Sequence, residues 1–318
     1  MLDMMWGAKN ITLMMSAAMM SCTAIPYAGS SGAVNMDMPA AHHDIATSAH
    51  VDAPAQYDEM DKEIALRPDF WFSATPQQGA VLRGRAPSNT VSLQFNGENI
   101  PLNQNGLFLI GFDRDAPENS QLVATLSNGN QVAANLTVQP TNWQLERVNT
   151  AYYGGARSSE AFQKIRGDEI GQINAARSIS SDSEGWKQDF IWPVKGRLSG
   201  LFGRQRIYQG KPGSYHSGMD IAVPTGTEYV APADGVVILA SETDFSLEGK
   251  LLMIDHGNGL NSAFLHSSEL LVKTGDVVKQ GQIIGRVGAT GRASGPHLHW
   301  GMKWNAARVD PKLLLPSE

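Results

Sequence analysis

Cysteine is almost missing from these 318 residues; Cys22 is the only one. One thiol closes no intramolecular disulfide and builds no all-cysteine metal site, so any metal here must be held by histidine and carboxylate. Charge is sparse too, at 18% Asp, Glu, Lys and Arg, and the net charge is −6. A chain without a basic footprint does not track phosphates, which excludes nucleic acid as a partner. Nor is there an apolar run of the about 20 residues that a membrane span requires. The nearest approach is "ITLMMSAAMMSCTAIPYA", Ile11 to Ala28, which follows Lys9 and ends at "GSSG". This pattern predicts an export signal over residues 1–28, cut near Ala24 or Ala28, and a mature form with no stable membrane span, working in the periplasm or cell envelope. An uncleaved anchor is the competing reading. "MMSC" lacks the usual Leu of a lipoprotein box, so Cys22 reads as a hydrophobic residue discarded with the signal.

Glycine and proline are plentiful, at 32 and 16, within a composition that is 42% hydrophobic. That suits a turn-rich β protein of about two domains rather than a helical bundle. Residues 29–64, with His42, His43 and His50 in "AHHDIATSAH", have neither helical nor strand period and read as a disordered linker. Over residues 65–140 short alternating runs are broken by turn signals, two of them Asn96-Gly97 and Asn128-Gly129, which predicts a small β-sandwich-like accessory domain. Trp71 and Phe72 read there as sheet-face residues. Residues 141–189 are expected to form a short helical bridge, because Phe162, Ile165, Ile170 and Ile173 fall near helical spacing, with Gly167 weakening the middle. From 190 to 318 the runs are apolar, β-rich and punctuated by Gly and Pro, with a third hairpin signal at Asn258-Gly259. The expected fold is therefore mainly β, ending in a compact antiparallel β domain.

Five of the eight histidines fall in that last domain: His216, His256, His266, His297 and His299. In "PHLHWG" the two histidines alternate in a strand-like run, so both side chains leave one face about 7 Å apart. His216 and Asp220, in "HSGMDIAVP", can be two metal ligands, a buried hydrogen-bonded pair, or neither. A fully extended chain would put them about 13 Å apart, too far to share an ion with bonds near 2 Å, so a bend at "SGM" is required. With that bend, His216, Asp220 and one histidine of the pair could hold one ion and leave a position open, the layout of a catalytic metal.

"HSGMDIAVPTGTEYVAPADGVV", "IDHGNGLNSAFLHSSELLVKTGDVVKQGQIIGRVGATG" and "SGPHLHWG" resemble, in order, the motifs of the lysostaphin and LytM type of zinc metallopeptidase, bacterial enzymes that cut peptide bonds in peptidoglycan. The resemblance runs from about Phe190 to Pro311, and a less specific one over about Ala65 to Val148 is similar to the accessory domain of exported Gram-negative members. It implies one Zn2+ per chain, ligated by His216, Asp220 and His299. It makes His266 and His297 catalytic, without dividing the roles between them, and His256 structural. Peptidoglycan stem peptides become the expected partner and D,D-endopeptidase the expected activity. There is no His-Glu-x-x-His segment, so the proton chemistry falls to neutral imidazoles, to which Tyr208 or Tyr215 could add a hydrogen bond. The alternative is a non-enzymatic or autoinhibited regulator that activates cell-wall amidases; such relatives lack several ligands, all of which are present here. The sequence carries no signal for oligomeric state.

Overall fold

The computed structural model describes residues 68–150 and 159–316, all within the compact unit Gln56–Glu318. The expected signal segment and linker lie outside the described residues. Among the described residues no helix is long and apolar enough to cross a membrane.

The N-terminal region is two small sheets. One has the order Trp71–Phe72, Val81–Arg85, Leu107–Gly111, and the other the order Glu98–Asn99, Thr90–Phe95, Asn119–Leu126, Gln131–Thr137. Their register brings Gly84 opposite Phe108, and a Cβ at Gly84 would lie 2.2 Å from the Phe108 ring, so the missing side chain makes room for that aromatic. Asn96 and Gly97 both adopt positive φ, 50° and 85°, between paired strands, as a two-residue hairpin turn demands.

The bridge is only partly helical. Leu145–Val148 is a strand that pairs in parallel with Gln205–Tyr208 of the C-terminal domain. Helix α1, Glu160–Arg177, follows, with the Ser159 hydroxyl accepting from Phe162 N at 3.2 Å and with Glu160 and Arg177 matched to the helix dipole. Its buried face is Glu169, Ile173 and Ala176, whereas Ile165 and Ile170 remain exposed, so the apolar stripe read from the sequence is narrower than expected. Polar contacts supply the rest of the docking. Arg166 grips Glu248 with two bonds of 2.6 and 2.7 Å, and Glu169 accepts from Ser246 Oγ at 2.6 Å.

The C-terminal domain is built on one antiparallel sheet in the order Val277–Val278, Gly235–Ala240, Lys250–Asp255, Leu260–Ser267, Leu298–Trp304, Gly218–Ala222, Arg197–Gly200, with Ala307–Val309 also on Leu298–Trp304. Period-2 alternation divides it. Leu252, Ile254, Phe264, Leu298, Trp300, Met219 and Ile221 face a core that continues into the N-terminal sheets. Leu251, Met253, Ala263 and Leu265 face the other way, where Ile173 and Ala176 of α1 cover them. Trp300 and Phe264, both fully buried, stack at 6.3 Å; each such side chain is worth about 1.5–3 kcal/mol of burial. The two β regions are joined by buried Arg114, whose Nε donates to Gly203 O at 3.0 Å, and by Phe95 against Trp304 at 5.8 Å.

Candidate metal centre

Three neighbouring strands meet at one level of this sheet. Asp220 is the register partner of His299, and His299 is the partner of Leu265. Side chains of directly opposed residues share a face, so Asp220 and His299 project together on the face that carries α1. His216 reaches them from the two-residue link, His216 and Ser217, between strand Lys211–Tyr215 and Gly218–Ala222; Gly218 and Met219, where the sequence reading put the bend, already belong to the strand. His216 Nε2 lies 3.1 Å from Asp220 Oδ1 and 3.1 Å from His299 Nδ1, and His299 Nδ1 lies 2.8 Å from Asp220 Oδ1.

These three atoms form a nearly equilateral triangle of two imidazole nitrogens and a carboxylate oxygen. Tetrahedral zinc with bonds of about 2.0–2.1 Å has ligand–ligand edges of about 3.3 Å, so the residues present fit a metal of that kind after a shift of a few tenths of an ångström. The tautomer of His216 also fits. Its Nδ1 donates to the Leu201 carbonyl at 3.1 Å, an oxygen that can only accept, which leaves Nε2 as the ligand atom. Burial pushes the Asp220 carboxyl up, but bonds from His216 and His299 outweigh it and hold the group far below the usual carboxylate range. Burial likewise pushes His216 down, and the Asp220 carboxylate reverses that. His299, nearly enclosed, is lowered by burial.

His266 and His297 flank the triangle. His297 shares the face of His299 by alternation, and its Nε2 is 3.6 Å from Asp220 Oδ1. His266 needs a special device, because it follows Leu265 and strict alternation would turn it to the opposite face. The pairing of Lys250–Asp255 with Leu260–Ser267 shifts register there, and His266 adopts a φ of 65°, so a bulge re-aims the ring. Its centroid lies 4.9 Å from that of His297. Both rings have Nδ1 tied to a carbonyl at 2.8 Å, Thr290 O for His266 and Gly295 O for His297, so the neutral tautomer of each carries its proton on Nδ1 and its lone pair on Nε2. Burial lowers the His266 pKa and the charges of its histidine neighbours add to that, keeping it neutral.

The other aromatic and histidine candidates are engaged elsewhere. His256 is fully buried, bonded at 2.8 Å to both Asp234 O and Ser262 Oγ, and pushed down to about 4 by burial. The Tyr215 hydroxyl donates to Asp113 at 3.3 Å, and Tyr208 lies beside Arg206. His42, His43 and His50 lie outside the described residues. The sequence reading missed a cleft of about 430 Å³ beside His299, floored by Ala263, Leu265 and Gly301 and walled by Ile170, Ile173 and Arg177 of α1. Its signal was the alternation His299, Gly301, Lys303 along one face.

Comparison with known proteins falls on the same segment. Residues 214–311 match Peptidase family M23. Peptidoglycan DD-endopeptidase ShyA of Vibrio cholerae is 40% identical over 112 residues, 34% of this chain and 26% of that protein. Peptidoglycan DD-endopeptidase ShyC of the same organism is 43% identical over 97 residues, 30% of this chain and 22% of that protein. The matched segment thus spans about a quarter of those relatives. The crystal structure of a putative peptidase M23 from Pseudomonas aeruginosa is 28% identical with a TM-score of 0.57, over 76% of this chain and 96% of that one, so the likeness extends beyond residues 214–311.

Proposed function

We propose that this protein, whose residues 214–311 match Peptidase family M23, is an exported zinc metalloendopeptidase that hydrolyses peptide cross-links of peptidoglycan, of the D,D type. The single observation that carries the reading is the convergence of His216 Nε2, Asp220 Oδ1 and His299 Nδ1, with the Nε2 atoms of His266 and His297 beside them. Residues 65–140 and the bridge are read as accessory, and the periplasm or cell envelope as the place of action.

His216, Asp220 and His299 would hold the ion. When bound, zinc supplies Lewis-acid polarisation of the scissile carbonyl and a water of pKa near 7. The remaining chemistry belongs to the two imidazoles. A neutral ring whose Nδ1–H is fixed on a carbonyl offers Nε2 to take the proton of the attacking water, and the same atom can return it to the leaving amine. With two such rings side by side, either Nε2 can take the proton of the water, and only the ring that has taken it can then donate to the oxyanion or the leaving amine. The Thr290 and Gly295 carbonyls lock both tautomers, so neither ring must reorient before the proton moves.

The test is mass spectrometry of muropeptides released from purified sacculi by the mature protein, with a chelator control and His299→Ala. Metal-dependent loss of cross-linked species, absent in the variant, is the expected result and names the bond. No product from a zinc-loaded protein would overturn the enzyme reading in favour of the regulator, against which the complete ligand set now argues.

A further inference from the structure

Beyond His299 the cleft turns cationic. Lys303 lies on the same strand face as His299, with Gly301 between them, and its register partner on Ala307–Val309 is Arg308. Two like charges directly opposed across an antiparallel pair destabilise a sheet, and here they are adjoined by Arg177 from the last turn of α1. Three cations therefore line one cleft together with a fourth, Arg166, at its Glu248 end. Among the described residues, no carboxylate forms an ion pair with any of the three side chains. Glu248, at the same cleft, is taken by the two bonds from Arg166. Asp113 accepts from the Arg308 backbone N at 2.8 Å and from the Tyr215 hydroxyl, not from the guanidinium. Arg177 Nε is buried without any hydrogen-bond partner. Burial and mutual repulsion lower both Arg177 and Lys303, so the arrangement costs stability.

We propose that Arg177, Lys303 and Arg308 form an anion subsite of the cleft, which seats a free carboxylate of the peptide substrate. The inference rests on the peptidase reading of the neighbouring metal centre, and it adds what the substrate must carry. Lys303 is four residue steps along the strand from His299, about 13 Å, and an extended peptide advances about 3.3–3.6 Å per residue, so the carboxylate lies within about four residues of the bond cut. Gly301 leaves the path open between the two points; a Cβ there would stand 3.5 Å from His299 Nε2 and 3.3 Å from Ser217 O. Cations that form no ion pair among the described residues, one of them, Arg308, lying over the Tyr215 ring at 5.7 Å, recognise a carboxylate by charge-assisted hydrogen bonds, the strong class. Because Arg177 belongs to α1, the bridge contributes to substrate choice, and the helix is a wall of the binding site.

The experiment uses the full chain and a pair of synthetic cross-linked stem-peptide dimers that differ only in whether their free carboxylates are amidated. Calorimetric binding to the metal-stripped protein, which does not turn them over, is measured beside kcat/KM for the zinc-loaded protein. The free-carboxylate dimer should bind about ten- to hundredfold more tightly, and kcat/KM should follow. That ratio should fall towards one in Arg177→Gln and Lys303→Gln and be retained in Lys303→Arg, which keeps the charge and the fold. Equal binding of the two dimers, or a ratio that the Gln variants leave unchanged, overturns the subsite. A charge-dependent binding ratio without any cleavage leaves the subsite standing and refutes the peptidase; cleavage with a ratio of one does the reverse.

Discussion

A single methyl group at position 200 tests the metal centre without touching a ligand. Gly200 is the register partner of Asp220 on the neighbouring strand, and a Cβ there would lie 2.3 Å from Asp220 Oδ2 and 3.0 Å from His216 Cε1. The backbone at Gly200 is not in the left-handed region, so Gly200→Ala introduces a contact and no φ strain. Relief requires the Asp220 carboxylate to move by about 1 Å, and a displacement of that size at a reacting centre costs about 10²-fold in rate. Mispositioning of the ligand should also weaken metal binding by about 10–100-fold, the effect of disturbing groups that orient ligands. The cost to folding should be only that of overpacking, about 1–3 kcal/mol. Metal affinity is read by competition with a chromophoric chelator, rate by turnover of a cross-linked peptide at saturating zinc, and stability by denaturant titration. A Gly200→Ala protein with wild-type metal affinity and wild-type rate would refute the placement of His216 and Asp220 as ligands.

Three further outcomes follow from named contacts. His266→Asn keeps a residue type that tolerates positive φ, so the variant should fold and bind metal while kcat falls by about 10²–10⁴-fold; circular dichroism beside single-turnover kinetics checks this, and a rate near wild type would remove His266 from the chemistry. Zinc at a thousandfold excess over its Kd should stabilise the native chain by about 4 kcal/mol, read as a shift in the thermal midpoint that His299→Ala abolishes. Burial raises the pKa of Glu169, but bonds from Ser246 and Arg166 outweigh it and leave the group lowered. A lowered folded pKa contributes stability above the unfolded value of about 4.3 that is lost as pH falls through the folded pKa. Amide exchange in α1 should therefore accelerate below about pH 4 in the wild type, and Glu169→Gln should flatten that dependence.

Much of this was legible in the sequence, for local reasons. The Asn96-Gly97 and Asn258-Gly259 dipeptides mark turns because positive φ is a property of those residues themselves, and both occupy it in the structure. The alternation in "HLH" placed two histidines on one face before any sheet was known, since the side-chain period of a strand is independent of its neighbours. What escaped was set by tertiary pairing. Leu145–Val148 gave no helical or hairpin signal, and only the parallel partner Gln205–Tyr208 makes it a strand. The bulge that turns His266 towards the site belongs to a register shift between two strands and is written in neither alone. The helical spacing of Ile165 and Ile170 was real, yet α1 docks by Arg166 and Glu169 and leaves both isoleucines exposed. Lys303 and Arg308 are five positions apart in the chain, and their opposition appears only with the strand register.

Asp220, His299 and Leu265 occupy one register level across three strands, with the bulge at His266 beside them. A slip of one residue in the pairing of Gly218–Ala222 with Leu298–Trp304 would turn Asp220 and His299 to opposite faces of the sheet, and the three ligand atoms would no longer meet. Catalytic competence is in this sense a proofreading signal for the fold. Under the proposed function, a chain still threading or collapsed out of register has no weakened version of the centre and stays inert until these strands are correctly paired.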